Sequence, residues 1–158
     1  MIVGVTGGKG GTGKTVLALN LALAFAKSGR KVKYLDCDAD SPASHMLVGA
    51  ERKERREVRS FVPKFNEKCT KCGKCVKVCE VNALYQLKGK KPVLLAPICN
   101  GCKACTLVCP ARAIEKEEKI VGWTYCWKKY GVEFFSGELK PSEPLSEKIV
   151  DAVKKRGL

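Results

Sequence analysis

The sequence of 158 residues has a single histidine and no apolar stretch long enough to cross a membrane. Its longest such run, VLALNLALAFA, has eleven residues, whereas a transmembrane helix needs about 20. The first residues, MIVGVTGG, carry no charged leader, so no signal peptide is predicted and the protein is expected to be cytoplasmic. His45 has no second histidine to pair with and predicts an ordinary surface or packing residue.

Acidic residues are also scarce, since 16 stand against 30 lysines and arginines and give a formal charge of +14. Such a charge is typical of proteins that bind nucleic acid, acidic partners or membrane surfaces. Here the basic residues are scattered among acids, as in EKEEK and ERKERRE, and no basic stripe is interleaved with aromatic residues. The pattern favours a solvated surface and predicts no nucleic-acid partner.

Glycine is concentrated after residue 6, where a strand–loop–helix pattern predicts a phosphate-binding site. Residues 2–6, IVGVT, are predicted to form a short buried strand, and residues 14–27 show apolar helical periodicity. Between them stands the phosphate-loop motif Gly8-x-x-x-x-Gly13-Lys14-Thr15. The glycines let backbone N–H groups turn toward phosphate oxygens. Lys14 would reach the β- and γ-phosphates, and the Thr15 hydroxyl would ligate Mg²⁺.

A second lysine makes this loop resemble the deviant Walker A motif, K-G-G-x-G-K-S/T. The matching residues are Lys9, Gly10, Gly11, Thr12, Gly13, Lys14 and Thr15. This motif marks the MinD, ParA, Mrp and nitrogenase-iron-protein family of ATPases. In that family the early lysine crosses a dimer interface and touches the phosphates of the other subunit. The resemblance therefore implies an ATP-bound homodimer in which Lys9 acts in trans; the alternative is that Lys9 is only a local positive charge.

Acidic residues follow the second predicted strand, which Val32, Tyr34 and Leu35 indicate. Carboxylates at the end of a strand beside a phosphate loop are placed to order the waters of Mg²⁺ or the attacking water. The family carries a similar D-x-D element, and the resemblance assigns this catalytic role to Asp38. Asp36 is predicted to be a supporting structural group.

Eight of the ten cysteines form two runs that repeat at an offset of thirty residues. The first run is Cys69, Cys72, Cys75 and Cys79; the second is Cys99, Cys102, Cys105 and Cys109. Each run has the spacing C-x2-C-x2-C-x3-C, which is typical of bacterial two-cluster ferredoxins. Because short regular cysteine spacings in a reducing compartment indicate metal rather than disulfides, two [4Fe–4S] clusters are predicted.

The spacing also predicts which cysteines share a cluster. Three closely spaced thiolates wrap one corner of a cluster, and the fourth, on the next helical turn, reaches the other cluster. The predicted sets are Cys69, Cys72, Cys75 and Cys109, and Cys99, Cys102, Cys105 and Cys79. Zinc also binds paired cysteines, but four per run, repeated, with Pro110 after the last, favour iron. Two such sites, each of charge about −2, would lower the formal charge to about +10.

The two modules together resemble the MinD-like P-loop ATPases of archaea and bacteria that carry an inserted ferredoxin domain. The predicted fold class is an α/β P-loop NTPase with a partial parallel sheet and an inserted α+β bacterial-type ferredoxin domain. The predicted boundaries are 1–60 for the first part of the ATPase, 61–114 for the insert and 115–158 for the second part.

The last part predicts a hairpin followed by a helix. Trp123, Tyr125 and Trp127 share one face of an alternating strand, KKYG is a turn, and VEFF begins the return strand. The helix carries a stripe of Leu145, Ile149 and Val153. Two cysteines, Cys37 and Cys126, lie outside the two runs, and both are predicted to be packed thiols.

One element of the family pattern is not found. In the family, the Walker B aspartate ends the next strand inside a D-S-P-P-G-like segment, and no apolar run ending in Asp follows residue 60. The sequence therefore resembles the N-terminal portion of a longer ATPase, and whether it hydrolyses ATP alone stays open. A short sheet with an exposed edge is expected to associate with itself.

Three functions remain as alternatives. The first is nucleotide-gated electron transfer through two [4Fe–4S] clusters to an unknown redox partner. The second is an iron–sulfur cluster carrier or assembly ATPase of the Mrp type. The third is a ferredoxin-like electron carrier on an incomplete ATPase scaffold. Eight cysteines in two enclosed sites favour the first over the second, because carriers usually hold a labile cluster on few cysteines.

Overall fold

Residues 1–158 are all described by the computed structural model, and they form two units. The first unit comprises Met1–Val58, Gly122–Leu139 and Ser146–Leu158. The second comprises Arg59–Val121 and Lys140–Leu145. All eight cysteines of the repeated runs belong to the second unit, and the glycine-rich loop belongs to the first.

The helices and strands alternate irregularly along the chain. In order they are α1 Lys14–Lys27, β1 Val32–Asp36, α2 Ser44–Leu47, β2 Arg56–Phe65, α3 Lys74–Lys77, β3 Leu84–Tyr85, β4 Val93–Leu94, α4 Ala104–Leu107, β5 Ile114–Lys129, β6 Val132–Leu139 and α5 Ser146–Gly157. The predicted helix over residues 14–27 and the predicted strand ending at Asp36 are both confirmed. None of the helices combines the length and apolar character that crossing a membrane requires.

The sheet of the first unit is mixed, whereas a partial parallel sheet was predicted. Strand β6 pairs in parallel with β1 and antiparallel with β5. The turn between β5 and β6 consists of Tyr130 and Gly131, both with positive φ, of 50° and 76°. Such a two-residue turn matches the twist of a hairpin and can join only antiparallel strands. Local turn chemistry therefore decides this strand direction.

Two helices cover opposite faces of this sheet. Leu19 and Ala22 of α1 pack with Tyr34 and Phe134. The next residues along the two strands, Leu35 and Phe135, point to the other face and pack with Val153 of α5. Because neighbouring residues of a strand alternate between faces, one short pair of strands separates the two helices.

The predicted strand over residues 2–6 is wrong. These residues form no strand, and the side chains of Ile2 and Val3 are 83% and 55% exposed. A strand needs a neighbour for its N–H and C=O groups, and the sheet order β1-β6-β5-β2 leaves none beside this segment. The segment is apolar, but it pairs with no strand in the structure.

The two cysteine runs of the second unit have matching backbones. Residues that correspond at an offset of thirty share left-handed conformations. The pairs are Lys71 with Gly101, Gly73 with Lys103, and Asn82 with Arg112, all with φ between 47° and 73°. The short helices α3 and α4 correspond in the same way. The repeat seen in the sequence is thus a repeat of backbone conformation as well.

We expect Gly137→Ala to destabilise the first unit. The added Cβ would overlap Cγ2 of Ile149 and lie 2.8 Å from Cγ2 of Val153. Overpacking of this kind lowers the free energy of unfolding by about 1–3 kcal/mol. Urea unfolding followed by tryptophan fluorescence measures it, because both tryptophans, Trp123 and Trp127, lie in this unit.

The matched control is Gly4→Ala, whose Cβ would meet no atom within 4 Å. It should leave the unfolding midpoint unchanged. Equal midpoints for the Gly137 variant and the unmodified protein would contradict the packing of α5 on this strand.

Candidate functional site

The glycine-rich loop closes on itself through Lys14. The Lys14 ammonium donates a hydrogen bond to the carbonyl oxygen of Lys9 over 2.7 Å, and the Thr12 hydroxyl donates to the same oxygen over 3.3 Å. Gly13 precedes α1 with a φ of 79°, a conformation that favours glycine. The loop thus sits at the N-terminus of a 14-residue helix, where the helix dipole attracts anions.

A single hydroxyl, that of Thr15, stands in the first turn of α1. Position 16 carries a valine, so this turn offers no second hydroxyl. The side chain of Val16 is 52% exposed and has no atom that could bind Mg²⁺ or a phosphate. Within the first turn of α1, Thr15 is therefore the residue that offers a hydroxyl to a metal.

Gly7, which the motif did not include, also shapes this loop. A Cβ on Gly7 would lie 3.2 Å from Cδ of Lys14, so a side chain there would press on the stem that carries the ammonium. The signal that pointed to it was the double glycine before Lys9. Gly8 and Gly10 have no atom within 4 Å of an added Cβ, so nothing within the protein requires glycine there.

The acidic residues after β1 have different environments. Asp36 is buried; its Oδ1 accepts a hydrogen bond from the Asp38 N–H and its Oδ2 accepts one from the Ser44 N–H, both over 3.2 Å. It therefore holds the turn and the start of α2, in agreement with its predicted structural role. Asp38 is exposed, and its Oδ1 accepts a hydrogen bond from the Ser41 N–H over 3.1 Å. Of these two acids, only Asp38 presents a carboxylate to solvent.

The phosphate loop and these acids lie at the same end of the first unit. Helix α1 packs on β1, and only four residues connect them, so the two run in opposite directions. The N-terminus of α1, with Lys14 and Thr15, therefore lies at the same end as the carboxyl end of β1, with Asp36 and Asp38. This is the edge of an α/β sheet at which ligands bind.

The eight repeated cysteines line two separate pockets. The cysteines of the first pocket are Cys69, Cys72, Cys75 and Cys109, joined by Phe65, Thr70, Gly73, Lys74 and Pro92. Those of the second pocket are Cys79, Cys99, Cys102 and Cys105. Each pocket therefore takes three cysteines from one run and the fourth from the other, which is the grouping that the spacing predicts.

Exchanged backbone pairing accounts for this crossing. After Cys79 the chain reaches Ala83, whose carbonyl accepts a hydrogen bond from the Leu95 N–H over 2.8 Å, just before the second run. After Cys109 it reaches Ala113, whose carbonyl accepts one from the Asn66 N–H over 3.0 Å, just before the first run. The end of each run is thereby held beside the beginning of the other.

The pocket thiols differ in how easily they ionise. Burial and, to a smaller extent, neighbouring cysteines together raise the pKa of Cys105 to about 11, and burial also raises the pKa of Cys75. The backbone N–H of Lys74 and then the Thr70 hydroxyl lower the pKa of Cys72. Because metals bind thiolates, binding at the buried thiols would release protons.

No three histidine, cysteine, aspartate or glutamate side chains lie close enough together to ligate one metal ion. Of the remaining cysteines, Cys126 is buried, as predicted. Cys37 is exposed and not packed as predicted, because it follows the last residue of β1 and lies outside the strand.

Comparison with known proteins identifies the family. The profile of the CbiA family, described as the CobQ/CobB/MinD/ParA nucleotide binding domain, matches residues 3–152. The chain belongs to this family. The phosphate loop at the start of α1 is thus the nucleotide-binding loop of a MinD/ParA-type domain, as the deviant Walker A resemblance implied. No solved structure matches the chain significantly.

Several curated relatives extend beyond the matched region. An uncharacterised protein of Methanocaldococcus jannaschii is 36% identical over 159 aligned residues, which cover 100% of this chain and 56% of that protein. The iron–sulfur cluster carrier protein of Pseudomonas fragi is 43% identical over 65 residues, 39% of this chain and 23% of the carrier. An uncharacterised ATP-binding protein of M. jannaschii is 45% identical over 51 residues, 32% of this chain and 19% of that protein. This chain thus spans about half the length of the first of these relatives.

We expect Lys14→Ala to weaken ATP binding at least about tenfold, because a hydrogen bond to a charged group contributes roughly 1.5–3 kcal/mol. Lys9→Ala removes the same charge from the same loop and is the matched control. At protein concentrations where the chain is monomeric, it should bind ATP nearly as well as the unmodified protein. Isothermal titration with Mg·ATP measures both, and equal losses would contradict different roles for the two lysines.

Proposed function

We propose that this chain is the nucleotide-binding part of an ATP-dependent iron–sulfur protein, and that its second unit holds two [4Fe–4S] clusters. The observation that carries the proposal is the lining of two pockets by four cysteines each, with one cysteine exchanged between the runs. Neither pocket contains a histidine or a carboxylate. A set of thiolates alone selects soft metals such as iron in clusters, zinc or copper.

The pockets fit a cluster better than a single ion. A tetrahedral zinc site needs four sulfurs about 3.8 Å apart, since each Zn–S bond is about 2.3 Å. Each pocket is lined by four cysteines, yet no three of them are placed to hold a single metal ion, and such a set would suit a larger group held by four thiolates. When bound, such a cluster supplies one-electron transfer.

The backbone around the thiols supports the same assignment. Left-handed residues such as Lys71 and Gly73 alternate with right-handed ones at the start of α3. Alternating conformations of this kind turn successive N–H groups into a concavity that binds anions and iron–sulfur sites. The backbone N–H of Ala113 already donates a hydrogen bond to Sγ of Cys109 over 3.3 Å.

The first unit would supply nucleotide chemistry. In this proposal the Lys14 ammonium leaves the Lys9 carbonyl and binds the β- and γ-phosphates, while Thr15 ligates Mg²⁺. Exposed Asp38 orders the waters of the metal or the attacking water. Lys9 reaches the nucleotide of a second copy in a homodimer. We assign ATP binding alone to this chain, which covers 56% of the relative from Methanocaldococcus jannaschii.

Two uses of the clusters compete. Enclosure by eight cysteines favours clusters that stay in place and pass electrons under the control of the nucleotide. The names of relatives favour the other use, since iron–sulfur cluster carrier proteins of Pseudomonas fragi and Escherichia coli are among them. The comparisons thus support a carrier better than an electron-transfer protein, although the carrier matches cover only 39% and 32% of this chain.

Anaerobically prepared protein should contain about eight irons per chain, and each single Cys→Ser change at a ligand should leave about four. Cys79→Ser should disturb the same cluster as Cys102→Ser, and Cys109→Ser the same cluster as Cys72→Ser. Iron analysis and electron paramagnetic resonance of the reduced variants measure both effects.

Cys37→Ser is the matched control, because Cys37 is exposed and belongs to the first unit. It should retain about eight irons. Zinc in place of iron would contradict the proposal, and a Cys79→Ser spectrum like that of Cys72→Ser would contradict the crossed assignment.

Mixing with an apo-acceptor separates the two uses. If the clusters stay to pass electrons, the loaded protein should lose less than about a tenth of its iron to an apo-ferredoxin during several hours, and Mg·ATP should shift the cluster potentials. A carrier should load the acceptor faster when Mg·ATP is present, with unchanged potentials. Iron transfer is followed by the acceptor's visible absorption after separation of the two proteins.

A further inference from the structure

Four lysines accompany the first cysteine run and have no counterparts in the second. Their positions are Lys68, Lys71, Lys74 and Lys77, and the residues thirty positions later are Ile98, Gly101, Ala104 and Leu107. Three of the lysines directly precede a cysteine of the run. The two runs share their cysteine spacing and their left-handed backbone positions, but they differ in the lysines around them. We call these four residues the lysine rim.

The lysine rim is exposed and without ion-pair partners. All four side chains are exposed, and Lys74 also lines the first pocket. The ion pairs of the second unit involve other lysines, such as the one between Lys91 and Glu67 at 2.7 Å. Around the second run, Ile98 and Leu107 are instead apolar residues that are 45% and 86% exposed.

Gln86 brings two more lysines to the lysine rim. Its Nε2 donates hydrogen bonds to the carbonyl oxygens of Lys71, over 3.0 Å, and Lys90, over 2.7 Å. The turn between β3 and β4 is thereby held against the loop that carries Lys71. Lys88 and Lys90 of this turn are exposed, so they add positive charge beside the first pocket.

The charge of a bound cluster does not account for these lysines. The second pocket has the same set of four thiols and the same proposed charge, yet its run from Cys99 to Cys109 contains a single lysine, Lys103, in the place of Gly73. Like charges gathered without partners repel one another and do not stabilise the unit. A cationic surface of this kind instead attracts and orients a partner with an acidic surface.

We propose that the lysine rim is the docking surface for an acidic protein that binds over the first pocket. The proposal rests on the proposed function only for the identity of the group in that pocket. A protein is favoured over single-stranded nucleic acid because one exposed aromatic side chain, Tyr85, adjoins the rim, whereas strand binding needs successive stacking rings. The second pocket, with its apolar surroundings, is excluded from this electrostatic docking.

The test uses a fluorescent oligoglutamate of about ten residues as the acidic probe, with binding measured at low and raised ionic strength. Carbodiimide cross-linking and peptide mapping of the unmodified protein should find amide bonds mainly at Lys68, Lys71, Lys77, Lys88 and Lys90. The triple variant K68Q/K71Q/K77Q spares the pocket-lining Lys74. It should bind the probe about tenfold more weakly at low salt, with a flatter salt dependence.

The matched control is K27Q/K31Q/K155Q, which removes three exposed lysines of the first unit and changes the net charge equally. It should weaken binding less than about twofold. Equal losses in the two variants, cross-links mainly outside the lysine rim and its turn, or no binding of the probe at low salt would each overturn the proposal. If the triple variant fails to fold, K68Q/K77Q avoids the loop at Lys71 and should still weaken binding at least about threefold.

Two further readouts separate the possible failures. Iron is counted on the same preparations. If the protein holds no iron but still binds the probe through the lysine rim, the proposed function is overturned and the docking proposal stands. A single-stranded oligothymidylate of equal charge and phosphatidylglycerol vesicles are tested beside the peptide. A rim-dependent loss for either of these, without one for the oligoglutamate, overturns docking of a protein.

Discussion

The pairing of each cysteine run with the chain just before the other run is the constraint from which the second unit follows. Two carbonyl groups, of Ala83 and Ala113, accept the hydrogen bonds that close it. Without this exchange, the fourth cysteine of each run would have no pocket to complete. The buried apolar cluster of Phe61, Cys75, Leu84 and Cys105 joins residues of both runs, so neither run has a core of its own.

Strand β5 links the second unit to the first unit in sequence. Strand β5 starts directly after Ala113 and runs for 16 residues, and its second half pairs with β6 in the sheet of the first unit. Strand β6 in turn pairs with β1, which ends in the acids beside the phosphate loop. Strand β5 thus begins in the second unit and ends in the sheet of the first unit.

Because the two runs are alike in backbone and in cysteine spacing, the difference in their lysines is informative. Backbone conformation and thiol spacing repeat, and both are demanded by the group that the pockets are proposed to hold. The lysine rim has no counterpart at the second run, which is why we assign it to docking at the first pocket alone. The formal charge of +14 does not show this local difference, because scattered and clustered lysines contribute equally to the net charge of the chain.

Several features were predictable because they depend on neighbours in sequence. Helix α1 follows from its periodicity and its preceding glycine, and the β5–β6 hairpin from alternation and its two-residue turn. The prediction of a strand over residues 2–6 was wrong because an apolar segment becomes a strand only beside another strand. The partial parallel sheet that the sequence predicts is present as the pair β1–β6, and the predicted hairpin adds β5 antiparallel to it.

By itself, then, the sequence determined the phosphate loop, the eight thiols and their grouping in two sets of four, since each depends on short spacings that local geometry enforces. Only the tertiary structure decided that Asp36 is buried as a turn-holding group while Asp38 faces solvent, and that Gly7 leaves room for Lys14. It also decided that Gln86 gathers the lysines of a distant turn at the first pocket. These outcomes depend on contacts between residues far apart in the chain, whose free energies no local pattern encodes.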